Sequence, residues 1–356
     1  MAKPRIAVLF GGRSAEHEVS VLSASNVVKA IDPTKYEIVV IGITRAGKWL
    51  LAELGADSAL PAEVPESGTE ICLLPGGGGR MLALPETGAP HELPKIDVLF
   101  PVLHGPFGED GSVQGLAEVA GVPYVGCGVL GSAVAMDKDA AKRLLHEAGI
   151  PVAHAVTVHA GEHPAFEEVA GKLGLPVFVK PARQGSSVGV SKAETAAEFE
   201  AALAAAFLHD RKVLVEEFVA GREIELGVLE NADGTLTVSV AGEIVTAESH
   251  GFYTYEAKYI DADGAALRVP APLPDALLQQ LQDMSVRAFR TLCCEGMARV
   301  DFFVRADGSA LLNEVNTIPG FTNISMYPKV LGASGVAYEA LVSRLIDHAL
   351  ARAARA

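Results

Sequence analysis

Two strand-like runs near the C-terminal end, joined by an Asp-Gly pair, restrict most strongly what this chain can fold into. Residues 297–304 read Met-Ala-Arg-Val-Asp-Phe-Phe-Val, and residues 310–316 read Ala-Leu-Leu-Asn-Glu-Val-Asn. Asp307-Gly308 lies between them, and such a pair between two strand-like runs is typical of a β-hairpin with a two-residue turn. The sequence therefore predicts an antiparallel hairpin with a fixed register.

This predicted register brings two carboxylates face to face. Asp301 lies opposite Glu314 and Arg299 opposite Asn316, and all four side chains share one face because side chains alternate along a strand. Opposed carboxylates lie about 5 Å apart and repel each other unless a cation lies between them. Two carboxylates and an amide oxygen suit magnesium, so Asp301, Glu314 and Asn316 form a candidate metal site. The alternative is an ordinary amphipathic hairpin whose charges face water.

The N-terminal third has the pattern of a doubly wound α/β domain with a parallel sheet. Residues 6–10 form a short apolar strand, a helical periodicity follows from Ser14, and residues 36–43 read as a second strand. Residues 45–93 are rich in Gly, Pro and Ala and predict irregular connections and short strands. A further apolar strand, 96–103, ends in a glycine-rich loop, at the edge where open α/β sheets bind ligands.

The rest of the chain predicts hairpins mixed with helices, so the fold class is α/β followed by α+β. Residues 137–148 read as a helix, and Asp233-Gly234 marks a second hairpin. Lys138 on that helix and Lys180 at the end of a predicted strand each lie near a glycine-rich segment. Small residues in the loop 184–189 would let backbone N–H groups approach an anion, as in phosphate-binding loops, although such a loop is as often a flexible turn.

Composition narrows the function classes. The 356 residues suffice for two or three domains, and 29 basic against 44 acidic residues give a net charge of −15. That charge argues against non-specific binding to nucleic acid and against docking on anionic membranes. Four cysteines without C-x-x-C spacing predict a reduced, cytoplasmic protein. The N-terminal apolar run is too short for a signal peptide, and the longest uncharged stretch, 119–136, contains proline and several glycines, which disfavours a membrane span.

Two glycine patterns match nucleotide-binding motifs only in part. The segment 42–49 nearly has Walker A spacing, but Trp49 stands where a hydroxyl would hold magnesium, so we expect a loop. The segment 126–131 matches G-x-G-x-x-G, but the acidic residue at the required distance, Glu147, falls inside a predicted helix. We expect tight glycine turns at both places.

Eight ordered motifs extend over nearly the whole chain. They are Gly11-Gly12-x-Ser14-Ala15-Glu16-x-Glu18-Val19-Ser20, His104-Gly105-x-x-Gly108-Glu109-Asp110-Gly111-x-x-Gln114-Gly115, Met136-Asp137-Lys138, Val179-Lys180-Pro181, Gly185-Ser186-Ser187-Val188-Gly189, Phe252-Tyr253-x-Tyr255-Glu256-Ala257-Lys258-Tyr259, Arg299-x-Asp301 and Glu314-x-Asn316-Thr317-x-Pro319-Gly320. Together they resemble the D-alanine–D-alanine ligases of the ATP-grasp superfamily.

The resemblance implies an ATP-grasp fold and a two-step reaction. Three domains would span 1–130, 131–218 and 219–356, the first an α/β substrate domain and the others ATP-grasp domains. ATP would phosphorylate the carboxylate of one D-alanine, and the amine of a second would attack this acyl phosphate through a tetrahedral intermediate. The product, D-alanyl-D-alanine, serves peptidoglycan synthesis. The resemblance also implies two magnesium ions, manganese as a substitute, a monovalent cation, a cytoplasmic location and a homodimer.

Substrate roles follow from the same resemblance. Glu16 would bind the ammonium group of the first D-alanine within a hydrogen-bonded set that includes Ser186 and Tyr259. His104 would lie near the carboxylate of that substrate. In the absence of the resemblance, Glu16 is an acidic residue in the first turn of a helix, where the helix dipole alone favours it.

The resemblance places three further residues around the reacting centre. Arg299 and the N–H group of Gly320 would stabilise the tetrahedral oxyanion, and Ser325 would bind the carboxylate of the second substrate. Negative charge develops on oxygen in both steps, so fixed cations and N–H donors are the groups that this chemistry requires.

Nucleotide and metal roles complete the set that the resemblance implies. Those residues are Lys138, Lys180, Lys258 and Ser187 at the phosphates, Glu216 at the adenine amino group, the backbone of Val219 at the ring edge, Glu223 at the ribose, and Asp301, Glu314 and Asn316 at two magnesium ions, with Glu314 bridging. The metal ligands are those that the hairpin register also predicts.

Three alternative functions remain at this stage. A D-alanyl-D-lactate ligase, or another ATP-grasp carboxylate–amine ligase, is close in chemistry, but Tyr259 is typical of D-alanine as second substrate. A dinucleotide oxidoreductase depends only on the glycines of 126–131. A nucleotide-binding regulator without catalysis would not need Glu16, Arg299 and Glu314 together.

Overall fold

The computed structural model of this chain describes residues 3–55, 59–246 and 265–355. These residues form three β-sheets that helices cover. The helices are α1 (His17–Ala30), α2 (Ser112–Ala120), α3 (Val129–Met136), α4 (Lys138–Glu147), α5 (Phe166–Leu173), α6 (Ala196–Phe207), α7 (Asp275–Thr291), α8 (Met326–Ala333) and α9 (Tyr338–Arg355).

The first sheet contains the predicted parallel strands. Its strands are β1 (Arg5–Gly11), β2 (Glu37–Ile43), β3 (Trp49–Ala52), β4 (Glu70–Leu73), β5 (Met81–Leu84), β6 (His91–Leu93) and β7 (Val98–Pro101), in the order β6-β5-β4-β3-β2-β1-β7. Strand β1 pairs in parallel with both β2 and β7, which confirms the predicted parallel core. Strands β3 to β6 extend it in antiparallel fashion, so the segment 45–93, for which we predict only short strands and connections, supplies four of its seven strands.

Alternate residues of β1 pack against opposite layers of helices. Ile6, Val8 and Phe10 belong to a buried cluster with α1 and α9, whereas Ala7 and Leu9 belong to a cluster with α2. Both faces of the strand are therefore buried, which explains why the run is apolar throughout and why the domain is doubly wound.

The second sheet is antiparallel and small. Its strands are β8 (Ala155–His159), β9 (Val177–Pro181), β10 (Ser191–Ala193) and β11 (Lys212–Glu217), in the order β10-β9-β11-β8. Helices α5 and α6 cover one face through a cluster that includes Phe199. Lys180 and Glu216 lie on the adjacent strands β9 and β11.

The third sheet contains the predicted carboxylate hairpin. Its strands are β12 (Arg222–Glu230), β13 (Leu236–Val238), β14 (Gly242–Thr246), β15 (Ala265–Arg268), β16 (Met297–Val304) and β17 (Ala310–Asn316), in the order β15-β14-β12-β16-β17, with β13 beside β12. The bounds of β16 and β17 are those predicted. The second predicted hairpin, at Asp233-Gly234, is also confirmed, because β12 and β13 pair in antiparallel fashion.

The turn between β16 and β17 differs from the prediction, although the predicted pairs are correct. The N–H of Arg305 donates to the carbonyl of Ser309 at 2.8 Å, and Gly308 has a φ of +83°, so the loop has three residues and not two. A β-bulge at Asn313 then shifts the register back by one residue. Asp301 therefore still lies opposite Glu314.

The C-terminal helix returns to the first sheet. In α9, Leu341, Leu345 and Ile346 are fully buried in the cluster that contains alternate residues of β1. Burying each such side chain contributes about 1.5–3 kcal/mol, so the two ends of the chain hold each other in place. Within the described ranges, none of the helices combines the length and the apolarity that crossing a bilayer requires.

The first partial nucleotide motif is a turn, as predicted, whereas the second leads directly into helix α3 and differs from the predicted tight turn. Residues 42–49 connect the paired strands β2 and β3, with a left-handed Gly47 at a φ of +92°. In the second motif Gly131 lies within α3, packed against the backbone of Cys293. A Cβ atom at Gly131 would lie 2.3 Å from that carbonyl oxygen, so the glycine serves close packing.

We predict that Gly131→Ala destabilises the fold, although alanine favours a helix over glycine by about 1 kcal/mol. The new methyl group must displace the Cys293 backbone, so the free energy of unfolding should fall by about 1–3 kcal/mol in denaturant titrations. The control is Gly171→Ala in α5, where nothing lies within 4 Å of the new Cβ. This control should be neutral or stabilising, and equal effects of the two substitutions would contradict the packing argument.

Candidate active site

A polar cavity of about 80 Å³ lies between the first and third sheets. Its lining includes most of the substrate residues predicted above, together with two glutamates for which we predict no role. Those lining residues are Glu16, His104, Glu109, Gly185, Ser186, Glu225, Arg299, Glu314, Asn316, Gly320 and Ser325. We call this space the substrate cavity. Lys258 and Tyr259 lie outside the described residues.

Glu16 and Ser186 meet in the substrate cavity although 170 residues separate them. The Ser186 hydroxyl donates to Oε1 of Glu16, as the predicted hydrogen-bonded set requires. A Cβ at Gly185 would lie 2.7 Å from Oε2 of Glu16, so glycine is needed beside the carboxylate. Ser186 and Ser187 have φ values of 48° and 60°, a left-handed conformation that non-glycine residues rarely adopt and that is common at functional sites.

His104 is buried and neutral in character. Burial lowers the pKa of its imidazole, because water no longer solvates the charged form. Its Nδ1 donates to the carbonyl of Ile318 at 3.0 Å, which leaves Nε2 as the acceptor, 3.1 Å from the Ser23 hydroxyl. His104 thus ties the end of β7 to the loop after β17.

Glu109 is one of the two glutamates in this cavity for which the sequence predicts no role. It is half-buried, and desolvation of its carboxyl group, together with the negative charge of Glu16, raises the pKa of that carboxyl to about 8. Its two oxygens accept the N–H groups of Gly105 at 2.8 Å and Ile318 at 3.0 Å. The second motif contains this glutamate, but nothing in its spacing indicates that its side chain reaches across to the third sheet.

Arg299 and Asp301 form a two-point ion pair on strand β16. Nε and Nη2 of Arg299 donate to the two Asp301 oxygens, each at 2.8 Å, and Glu225 on the neighbouring strand lies 3.0 Å from Nε. Asn316 donates from Nδ2 to Asp301 at 3.0 Å. These contacts fix the guanidinium group at the wall of the substrate cavity.

The predicted metal ligands fit a divalent cation in their chemistry and register. Asp301 and Glu314 are cross-strand partners, and Asn316 lies two residues beyond Glu314. The side-chain amide of Asn316 can be turned over so that its oxygen, instead of Nδ2, faces a cation. The two orientations have the same shape and differ only in their hydrogen bonds. No cluster of three or more His, Cys, Asp or Glu side chains suited to a metal occurs in the described part of the chain.

Gly320 and Ser325 close the substrate cavity on the side of the third sheet. A Cβ on Gly320 would lie 2.7 Å from Oγ of Ser325, so the glycine allows the serine to approach. Ser325 directly precedes α8, and its hydroxyl accepts the N–H of Thr322 at 2.9 Å. The loop between β17 and α8 therefore holds both residues in a compact turn.

A second cavity of about 310 Å³ lies between the second and third sheets, and we call it the nucleotide cavity. Its lining includes the described residues for which the resemblance implies ATP contacts. They are Lys138, Lys180, Ser187, Glu216, Val219 and Glu223, accompanied by Phe178, Phe218 and Phe303. Phe178 and Phe218 stack with ring centroids 5.9 Å apart, which provides a flat apolar wall.

Glu216 is bound by two lysines in the nucleotide cavity. Lys180 lies 2.6 Å and Lys142 3.1 Å from its two oxygens, and all three side chains are largely buried. Burial alone would raise the pKa of Glu216, but the two lysines hold that pKa below its usual value. We predict no role for Lys142 from the sequence, because a lysine within a helix is usually a solvated charge.

The two cavities share Gly185, Ser186 and Glu314. Lys138 lies 3.7 Å from Glu314 and donates to the carbonyl of Gln184 at 2.6 Å. A group transferred from the nucleotide cavity to the substrate cavity would therefore pass this junction of a lysine, a carboxylate and small loop residues.

Comparisons with known proteins agree with this arrangement. Residues 5–127 match the family model "D-ala D-ala ligase N-terminus", and residues 144–347 match "D-ala D-ala ligase C-terminus". The chain belongs to the D-alanine–D-alanine ligase family. A D-alanine–D-alanine ligase A of Mesorhizobium japonicum is 62% identical over 353 residues, and one of Brucella suis is 59% identical over 350, each alignment covering 98% of both chains.

Solved structures of the family have the same fold. The D-alanine-D-alanine ligase from Coxiella burnetii matches with a TM-score of 0.87 and 36% identity, over 100% of this chain and 96% of that one. The VanG D-Ala:D-Ser ligase from Enterococcus faecalis matches with a TM-score of 0.84 and 36% identity, over 98% and 100%. Family membership confirms the predicted enzyme class, an ADP-forming ligase that joins D-alanine to D-alanine for cell-wall synthesis.

We predict that Glu109 makes folding stability depend on pH. Its pKa is higher in the folded chain, about 8, than the ordinary 4.5, so the folded state binds more protons between these values. Its contribution to stability is therefore present below about pH 4.5 and is lost as the pH rises through about 8.

The measurement compares unfolding free energies at pH 5.5 and 8 for the wild type and Glu109→Gln. The wild type should lose more stability than the variant over this range, by several kcal/mol at most. The same pH dependence in both proteins would show that Glu109 ionises normally in the fold.

Proposed function

We propose that this ligase joins two D-alanine molecules by forming an acyl phosphate at the junction of its two cavities. The observation that supports this most directly is the set of residues common to both cavities, Gly185, Ser186 and Glu314. Phosphoryl transfer needs the γ-phosphate and the accepting carboxylate in line and close together, and adjoining cavities meet that need.

The first D-alanine binds with its ammonium group at Glu16. The carboxylate of Glu16 is held by the Ser186 hydroxyl and is buried, so it forms a strong charge-assisted hydrogen bond with a cation. His104 lies at the other side of the same space and, being neutral, does not compete with Arg299 for the substrate carboxylate. The substrate is thereby oriented with its carboxylate towards the nucleotide cavity.

The second D-alanine binds with its carboxylate at Ser325 and attacks the acyl phosphate. Arg299 is held against Asp301 and Glu225, so its guanidinium group needs no reorganisation when the oxyanion forms. The N–H of Gly320 contributes a second donor. Both groups act on charge that develops in the tetrahedral intermediate.

ATP binds in the nucleotide cavity with its phosphates at Lys138, Lys180 and Ser187. The stacked Phe178 and Phe218 form an apolar wall for the adenine ring, Glu216 and the backbone of Val219 read its edge, and Glu223 binds the ribose. Glu216 can accept from the adenine amino group because the lysines beside it keep it ionised. Lys258 and Tyr259 would complete the phosphate and substrate contacts.

Asp301, Glu314 and Asn316 would hold two magnesium ions, with manganese as a substitute. When bound, these ions neutralise charge on the phosphates of ATP. The residues themselves supply three hard oxygen ligands on one hairpin, and Glu314 lies at the junction of the cavities, where a bridging ligand is needed. A monovalent cation, a homodimer, a cytoplasmic location and the division into domains 1–130, 131–218 and 219–356 are further parts of this proposal.

Phosphate release from ATP across a substrate panel tests the proposed reaction. The panel contains D-alanine, D-serine, D-lactate and L-alanine, each with and without magnesium. D-alanine with magnesium should release phosphate fastest and yield one dipeptide per phosphate. Faster release with D-lactate would contradict the proposed second substrate, and equal rates after removal of divalent cations would contradict the metal.

We predict that Glu314→Gln removes turnover and leaves the fold intact. The uncharged amide of glutamine cannot bridge two cations or repel a misplaced phosphate, so turnover is lost. Its volume is nearly that of glutamate, so the fold is kept. Dipeptide synthesis and thermal unfolding are measured in parallel. Glu118→Gln is the control, because this exposed glutamate contacts Tyr124 and lies in neither cavity. Retained magnesium-dependent activity in Glu314→Gln would refute the assignment of this residue.

A further inference from the structure

In the loop that follows β17, Ile318 is bound through both of its backbone groups by residues that follow β7. Ile318 donates its N–H to Oε1 of Glu109 at 3.0 Å, and its carbonyl accepts from Nδ1 of His104 at 3.0 Å. The other oxygen of Glu109 accepts the N–H of Gly105 at 2.8 Å. One half-buried carboxyl group therefore connects two segments that are 209 residues apart.

A carboxyl group of this length offers an acceptor oxygen to both N–H groups, in its ionised form and, through the remaining lone pairs, in the protonated form that its raised pKa favours. Each oxygen of Glu109 accepts one backbone N–H, and both partners are buried away from water. A glutamine would turn its NH₂ group towards one of those N–H groups, so two donors would face each other and one amide would lose its partner. An aspartate keeps both acceptors but is one methylene shorter.

The Ile318 peptide lies between the two substrate positions of the proposed reaction. Gly320 and Ser325 follow it on the same loop, and His104 and Glu109 continue into the segment that contacts Glu16. The hydroxyl of Ser14 donates to the carbonyl of His104 at 2.6 Å, and Ser14 is two residues from Glu16. The contacts of Glu109 thus span the distance between the first-substrate and second-substrate groups.

We propose that Glu109 is a positioning residue that sets the separation of the two D-alanine subsites. It acts through the Ile318 peptide and not on the reacting atoms. This proposal rests on the proposed roles of Glu16, Gly320 and Ser325, and it adds the element that keeps those groups at a reactive distance. Displacing a reacting group by about 1 Å can cost about 100-fold in rate, so such an element has a large effect on catalysis.

Other contacts keep the loop folded when Glu109 is changed. The Ser23 hydroxyl accepts the N–H of Phe321 at 3.2 Å, and the carbonyl of Phe321 accepts from Asn26 at 3.1 Å and from the Tyr338 hydroxyl at 2.7 Å. These bonds hold the loop three residues beyond Ile318. A substitution at Glu109 should therefore loosen the Ile318 peptide without releasing the whole loop.

The test compares Glu109→Gln and Glu109→Asp with the wild type, and uses Glu118→Gln as a matched control. We expect Glu109→Gln to lower kcat for dipeptide synthesis by about 10- to 100-fold and to raise KM for the second D-alanine. KM for ATP should stay within about twofold, because the nucleotide cavity does not contain Glu109. Glu109→Asp should show the same pattern to a smaller extent.

Amide hydrogen exchange of the peptide that contains Ile318 gives a direct readout. Exchange there should be faster in Glu109→Gln, whereas peptides from β9 and β11 should exchange as in the wild type. The aspartate variant answers the question if the glutamine variant does not fold.

Three results would overturn the proposal. They are wild-type kinetics in the folded variants, a rise in KM for ATP as large as that for the second D-alanine, and unchanged exchange at Ile318. A failure of the proposed function is distinguishable from these, because the wild type itself would then make no dipeptide from D-alanine.

Discussion

The ion pair between Arg299 and Asp301 is the interaction around which the substrate cavity is organised. Four glutamates are among the described residues that line this cavity, namely Glu16, Glu109, Glu225 and Glu314, and Arg299 is the cation that faces them. Its guanidinium group is shared between Asp301 and Glu225. Even with Glu109 protonated, as its raised pKa favours, the cavity carries an excess of negative charge that ligands must balance. An ammonium group at one end and a cation-bound nucleotide at the other would supply that balance, which makes the binding of both substrates electrostatically interdependent.

The pairing of Asp301 with Glu314 could be predicted from the sequence, but for an incomplete reason. The Asp-Gly signal identifies the hairpin, and the predicted two-residue turn gives the correct opposition. In the structure a three-residue loop and a bulge at Asn313 shift the register in opposite directions, so they cancel at Asp301. The bulge leaves no mark in the residue pattern, because any residue can occupy its position. A correct pair thus does not establish a correct turn.

Glu109 and Lys142 show where sequence reasoning ends. Both are charged residues in segments that read as an exposed loop and an exposed helix face, but in the fold Lys142 is buried and Glu109 is half-buried. Their burial depends on partners far along the chain, Ile318 for Glu109 and Glu216 for Lys142. Local periodicity carries no information about such distant pairs. The parallel strands of the first sheet, by contrast, could be predicted from a local signal. The run in β1 is apolar throughout because its alternate residues pack into two different clusters.

The path of the chain explains how the cavity keeps its dimensions while accepting two small substrates. Helix α9 returns to the first sheet, so the loop between β17 and α8 is enclosed by residues from both ends of the chain. Phe321 in this loop packs edge-on against Phe100 of β7 at 6.5 Å and against Tyr338 of α9 at 6.2 Å between ring centroids. A loop fixed in this way resists the local opening that surface loops undergo. Water hydrolyses an acyl phosphate if the cavity opens before the amine attacks. A rigid cavity wall therefore limits hydrolysis of this intermediate and favours ligation.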